Sequence, residues 1–311
     1  MKTNLNSKLF LGCGLLIISL FPLLNNAWQI TLPLTLCYIA YCFGIALVSD
    51  YIIEKISGES MLKKILSKNT FKGYLTFSLI MGLLLEGFAT YLGGLWYYPF
   101  FTTPTYFLLV VALGGFAIYF LAIFLSYEAI KLILDKIVKG RKVVTKDFRF
   151  EKIMYYILLF IGIILAVPPI LNINKNVSGF GGFVFDVSSP KTPYLDFWPL
   201  IMLFFALFFI FEFIQHKRHR NSLIKDTMHG YLNPLLAILL VSFILGLYME
   251  LQNLPLRLWI YSNWPLSQIT IFGLPVVVLL TWPMHYIGFL SAYRAFGKSP
   301  SEEIWAGDKI R

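Results

Sequence analysis

The chain has 311 residues, 58% of them hydrophobic and only 14% charged, against about 25% charged in an ordinary soluble domain, which excludes a water-soluble globular protein. Its formal charge of +10 sits in short loops between apolar runs. That is the pattern of a membrane protein touching anionic headgroups at its cytoplasmic face, and it argues against nucleic acid as a partner.

Taken in chain order, eight apolar runs approach the length of about 20 helical residues that a bilayer crossing needs. They fall at 9 to 24, 30 to 50, 73 to 95 and 106 to 130, then at 152 to 172, 195 to 215, 231 to 252 and 267 to 293. Lys2, Lys8 and the first run also fit a signal peptide, but Asn25, Asn26 and Ala27 make a poor cleavage site. The sequence Phe10-Leu11-Gly12-Cys13 has too few apolar residues before it for a lipoprotein box. A retained first helix is therefore expected. Cys13, Cys37 and Cys42 lie within apolar runs without metal-finger spacing and read as small buried hydrophobes.

The loops after the second, fourth and sixth runs are rich in lysine and arginine, and only Lys175, Lys191 and Arg257 of the 26 basic residues fall on the other side. The positive-inside rule then places both termini in the cytoplasm. The glycine-rich stretch from 174 to 194 reads as an outer loop, either a connector or a lid.

The two halves of the chain resemble each other. Ser78-x-Ile80-x-Gly82-Leu83-x-x-Glu86 matches Ser242-x-Ile244-x-Gly246-Leu247-x-x-Glu250 without a gap, and with one residue of slippage Leu95-Trp96-x-Tyr98 matches Leu258-Trp259-x-Tyr261. Expected is an all-α polytopic membrane protein of about eight transmembrane helices in two parallel four-helix repeats, 1–135 and 152–311, joined by a basic cytoplasmic linker at 136–151.

Serine, glycine and glutamate at i, i+4 and i+8 share one helical face. Small residues let helices approach closely, so each stripe and its carboxylate should face inward. An acid within a span costs roughly 2.5 to 3.5 kcal/mol near the bilayer centre and marks a functional candidate, although inter-helix hydrogen bonding is the simpler use. Trp96, Tyr97, Tyr98, Trp259, Tyr261 and Trp264 form either an interfacial aromatic belt or the roof of a cavity above Glu86 and Glu250. In the last run, Trp282, His285 and Tyr286 fall mid-span, with Pro275 and Pro283 expected to bend the helix and free carbonyls. Among the histidines, His285 alone falls within a run. No Walker loop, dinucleotide fingerprint, HExxH, GxSxG or DDxxD motif occurs, so no cofactor or metal is implied.

The stretch from Glu250 through Leu258-Trp259-x-Tyr261 to Phe272-Gly273-Leu274-Pro275-Val276 and Trp282 resembles the membrane carotenoid-biosynthesis proteins, the carotenoid hydratases and membrane lycopene cyclases. Glu86 to Tyr98 resembles them more loosely. The Pro-x-Glu-Glu pair of the cyclases is absent. The resemblance implies an enzyme acting without a cofactor on an apolar isoprenoid, carotenoid or other lipid, while lysine over arginine and the uniformly short loops suit a prokaryotic cytoplasmic membrane. Glu86, Glu250 and His285 would supply acid-base chemistry for hydration, cyclisation or isomerisation. Trp96, Tyr98, Trp259, Tyr261, Trp282 and Tyr286 would hold the substrate and steady a cation. The same residues leave open an ion-coupled transporter or exporter with its site between the repeats, and a non-catalytic envelope partner. Which glutamate is the acid is not legible here.

Overall fold

The computed structural model describes residues 5–21, 31–101, 115–138, 150–173 and 186–296. Each of the eight apolar runs holds a helix: α1 Leu5–Ser19 and α2 Thr31–Ser57, then, after the short α3 Met61–Ile65, α4 Lys68–Glu86 and α5 Phe116–Ile137. The second half gives α6 Glu151–Leu171 and α7 Phe197–Lys217, the short α8 Leu223–Met228, α9 Asn233–Leu256 and α10 Val276–Phe296. Seven are long and apolar enough to cross a membrane. The exception is α1, whose 15 residues reach about 22 Å, short of a hydrocarbon core of about 30 Å.

Two close helix pairs flank the bundle, because small residues let backbones meet. A side chain at Gly12 or Gly44 would run into the opposing backbone of the α1 and α2 pair, and Gly162 lies equally close to the Ala206 carbonyl where α6 crosses α7. The most enclosed helix is α5, which packs on α2, α4 and α9 and buries Phe120, Ile123, Phe124 and Leu125 completely. By contrast α6 turns Ile153, Phe160, Ile164 and Leu171 outward, as a lipid-facing helix must when no solvent penalty applies.

Two ends of the bundle are distinguished by what caps them. At one end lie α3 and α8, each N-capped by a serine, Ser60 and Ser222, whose hydroxyl accepts the amide of Lys63 or Lys225. The preceding helix sends a buried carboxylate to the same turn: Asp50 accepts the Leu62 amide at 2.8 Å and Glu212 the Ile224 amide at 3.0 Å. Asp50 also binds Ser60 and, with Glu54, the Lys8 ammonium, both at 2.5 Å. Ser222 meets Tyr155 instead.

At the other end, strands β1 Trp96–Tyr97 and β2 Ile260–Tyr261 pair antiparallel, Trp96 opposite Tyr261 and Tyr97 opposite Ile260. A second hairpin, β3 Thr270–Ile271 with β4 Leu274–Pro275, turns through Phe272 and Gly273, both at positive φ, as a two-residue primed turn requires.

This hairpin corrects one expectation: the run from 267 to 293 is not a single helix. Its helix begins only at Val276, and Pro275 lies in β4 and bends nothing, which leaves Pro283 as the one proline within α10. Cys13 also departs from expectation, being exposed on α1 while Cys37 and Cys42 are buried. Of the linker at 136–151 and the stretch 174 to 194, most or the first half lies outside the described residues.

Candidate functional site

Glu86 and Glu250 are 4% and 3% exposed, and Ser78 and Ser242 are fully buried, while Ile80 and Ile244 on the opposite faces are exposed. The two stripes therefore turn inward. Their glycines are needed for contact: a Cβ at Gly82 would fall 2.2 Å from the Phe116 ring of α5, and one at Gly246 would fall 2.5 Å from the Trp282 ring of α10.

Each glutamate ends the same chain of hydrogen bonds. The Trp96 indole donates to the Tyr98 hydroxyl at 3.0 Å, which donates to Glu86 Oε1 at 2.6 Å. The Trp259 indole donates to the Tyr261 hydroxyl at 3.0 Å, which donates to Glu250 Oε1. An indole N–H cannot accept, so the phenol must, and its own proton is directed at the carboxylate. Burial first, and then the adjacent glutamate, push both phenols well above their usual range and keep them donors.

The second carboxylate oxygens differ. Glu86 Oε2 accepts from the Thr90 hydroxyl at 2.6 Å, four residues on, and Glu250 Oε2 from the Asn253 amide at 3.1 Å, three residues on. The reason is local. A π-helical segment, Gly87–Leu92, follows Glu86, and a π-turn adds one residue to a helix. That residue is the slippage separating the two halves: Trp96 lies ten positions after Glu86, Trp259 nine after Glu250.

The strands hold the two chains together. Ser262 N–H and the Trp264 indole both donate to the Leu95 carbonyl, at 2.9 and 2.7 Å. The stretch 186–195 covers this end, with Tyr98 N–H bonded to the Val187 carbonyl and Leu195 N–H to the Leu92 carbonyl. Lys191 lies 3.9 Å over the Tyr91 ring, and burial pulls its ammonium below the usual lysine range. The hydroxyls of Ser189 and Ser188 hold the Asp186 carboxyl below its usual range.

All three expected catalytic residues, Glu86, Glu250 and His285, line one cavity of about 1200 Å³, as do Trp96, Tyr98, Trp259, Tyr261, Trp282 and Tyr286. Among the described residues no hydrogen bond joins His285 to either glutamate. Its Nε2 meets the Tyr119 hydroxyl at 3.3 Å, and its ring packs edge-on against Phe289. Tyr97 is absent from the lining, whereas Trp264 lines the cavity and is packed against Tyr261 and Phe197.

The cavity follows α4 from Thr70 to Glu86, about 24 Å along the axis. Contacts on the two sides of the bundle differ: α9 packs along α5, whereas among the described residues α4 and α10 do not pack along each other. They meet near the α3 and α8 end, where Tyr74 and Phe77 touch Tyr293. Between these limits the walls are chiefly phenylalanine, leucine, isoleucine and methionine.

Sequence reasoning missed Thr90, Asn253, Phe116 and Tyr119. The first two were within reach, since positions i+3 and i+4 lie over a helical glutamate on the same face. The other two come from α5, whose register against α4 and α10 only packing sets.

Seven apolar spans around a buried polar site define an all-α, multi-pass membrane protein. No protein-family model, curated protein or solved structure matches the chain.

Proposed function

We propose that this protein is an integral membrane enzyme that performs cofactor-independent acid-base chemistry on a long, apolar, lipid-soluble substrate of the isoprenoid or carotenoid class, such as hydration, cyclisation or isomerisation. The observation that carries the reading is the pair of carboxylates, each held by a tyrosine and a tryptophan, at one end of a long apolar cavity. A carboxylic acid delivers its proton to a carbon of a double bond, leaving a carboxylate and a carbocation. Rings facing the cavity, Trp282, Tyr286 and Phe289 among them, offer negative π-faces to that cation. Water addition with loss of a proton to a carboxylate, or proton loss from carbon directly, ends the reaction.

The architecture belongs to the same reading: two parallel repeats totalling eight spans, related by an axis along the membrane normal. Tyr97 pairs with Ile260, its own counterpart in the aligned halves, as a twofold axis through the strands would demand. With both termini inside a prokaryotic cytoplasmic membrane, the carboxylates lie toward the outer leaflet, the α3 and α8 end faces anionic headgroups, and the gap between α4 and α10 admits substrate from the bilayer. Ion-coupled transport is the weaker reading, because the α4 wall between Tyr74 and Glu86 is Phe77, Ile80, Met81, Leu84 and Leu85 with Thr76 as its one hydroxyl, and a coupling ion crossing it would find few oxygen ligands.

The test is a lipidomic comparison of a deletion strain complemented with wild type or with Glu86→Gln plus Glu250→Gln, together with extraction of lipid from the purified proteins. The expected result is an apolar lipid bound by both proteins and converted by wild type alone. If wild-type protein binds and changes no lipid, while vesicles show flux driven by a proton or sodium gradient, transport replaces catalysis.

A further inference from the structure

The two carboxyl groups look interchangeable by sequence, but their hydrogen-bond partners are not. Asn253 cannot be turned around: its Oδ1 accepts the Trp259 backbone N–H at 2.9 Å, so the face toward Glu250 is the amide NH2. An NH2 group only donates. Glu250 Oε2 therefore faces a fixed donor, and Oε1 faces the Tyr261 hydroxyl, itself polarised by the Trp259 indole. A proton on either oxygen of Glu250 would point at a donor, or would force Tyr261 to accept twice and strand its own proton. Glu250 is built as an acceptor at both oxygens.

Glu86 shares the tyrosine bond at Oε1, but its second partner is a hydroxyl, Thr90 at 2.6 Å. A hydroxyl both donates and accepts. If Glu86 carries a proton on Oε2, Thr90 accepts it and passes its own hydrogen to a carbonyl of the preceding turn, a bond helical threonines commonly make. Among the described residues neither carboxyl group has an ion pair with lysine, arginine or histidine, so neither environment is set by a cation. The difference rests on the π-turn, which puts a threonine at the place the other half gives to an asparagine.

We infer that Glu86 carries the transferable proton and Glu250 is the ionised base or counter-ion, with Thr90 and Asn253 as the positioning residues that separate the roles. This rests on the acid-base reading above and deepens it. In one turnover the proton leaves Glu86 Oε2 for a carbon of the substrate double bond, whose π electrons form the new C–H bond. Glu250 receives the proton lost by the added water or by an adjacent C–H. The net transfer of one proton from Glu86 to Glu250 is reset by exchange with water when product leaves.

Infrared spectroscopy of the purified, substrate-free protein tests the inference apart from activity, because a protonated carboxyl group shows a carbonyl stretch that an ionised one lacks and that shifts on deuteration. At neutral pH the difference spectrum of wild type minus Glu86→Gln should contain such a band, and that of wild type minus Glu250→Gln should not. Thr90→Ser should keep the Glu86 band unchanged, Thr90→Val should shift or remove it, and Asn253→Leu should add a second band by releasing Glu250 from its donor. A wild-type minus Glu86→Gln spectrum without the band, or a wild-type minus Glu250→Gln spectrum with it, overturns the assignment. These spectra can fail while the lipid is still converted, and can succeed in a protein that converts none, so the two proposals fall separately.

Discussion

Tyr98 and Tyr261 are the residues through which the strands and the membrane helices meet, each accepting from a tryptophan and donating to a glutamate. Replacing either by phenylalanine strands a half-buried indole N–H and removes a carboxylate partner. The expected loss in unfolding free energy is about 1–3 kcal/mol, read as a lower melting temperature in detergent, and a double variant that loses no more than one single variant would show that the two chains act as one unit. Gly246→Ala forces the Trp282 ring to move, with an overpacking cost of about 1–3 kcal/mol. Trp282 and Phe116 both border the cavity, so Gly246→Ala and Gly82→Ala, which clash with them in turn, should each reduce co-purifying lipid.

Among the elements, the turn into α3 and the turn into α8 are built alike, but only the first carries an ion pair with α1. Asp50 and Glu54 together hold Lys8, so Asp50→Asn weakens the hold on a buried ammonium as well as on an amide and a serine hydroxyl. A loss of about 3–5 kcal/mol is expected, with α1 freed first, as hydrogen exchange across residues 5–19 would report. Glu212→Gln keeps an acceptor for the Ile224 amide and should cost less. The segment 186–195 has its own pH signature. Asp186 has its folded value depressed by serine hydroxyls, so its contribution to the segment's docking is present above the ordinary carboxylate range and is lost as pH falls through that depressed value. Exchange in this segment, corrected for intrinsic pH dependence, should rise at acid pH in wild type and change less in Asp186→Asn.

At the scale of the whole molecule, α9 packs along α5, while among the described residues α4 and α10 border the cavity without packing along each other. Substituting tryptophan for Leu84 or Met81, both cavity-lining, should obstruct this gap and reduce bound lipid without unfolding the protein, as quantitative lipid extraction would measure. Orientation follows from the loops: a cysteine placed in the linker at 136–151 should react with membrane-impermeant maleimide only after cells are opened, whereas one at Lys191 should react in intact cells. The reverse pattern would invert the topology.

What the sequence determined by itself was set by periodicity and solvation. Apolar runs located a helix in every expected place, because a chain in lipid must satisfy its backbone internally, and the spacing of Ser78, Gly82 and Glu86 predicted which face turns inward, because i, i+4 and i+8 share a side. The tertiary structure alone decided that the run from 267 to 293 begins as a hairpin, that an extra residue after Glu86 becomes a π-turn, and that, among the described residues, α4 and α10 border a cavity instead of packing along each other. Those outcomes depend on contacts between residues far apart in the chain, Gly82 with Phe116, Gly246 with Trp282 and Leu95 with Ser262, and no local pattern encodes the register in which distant surfaces meet.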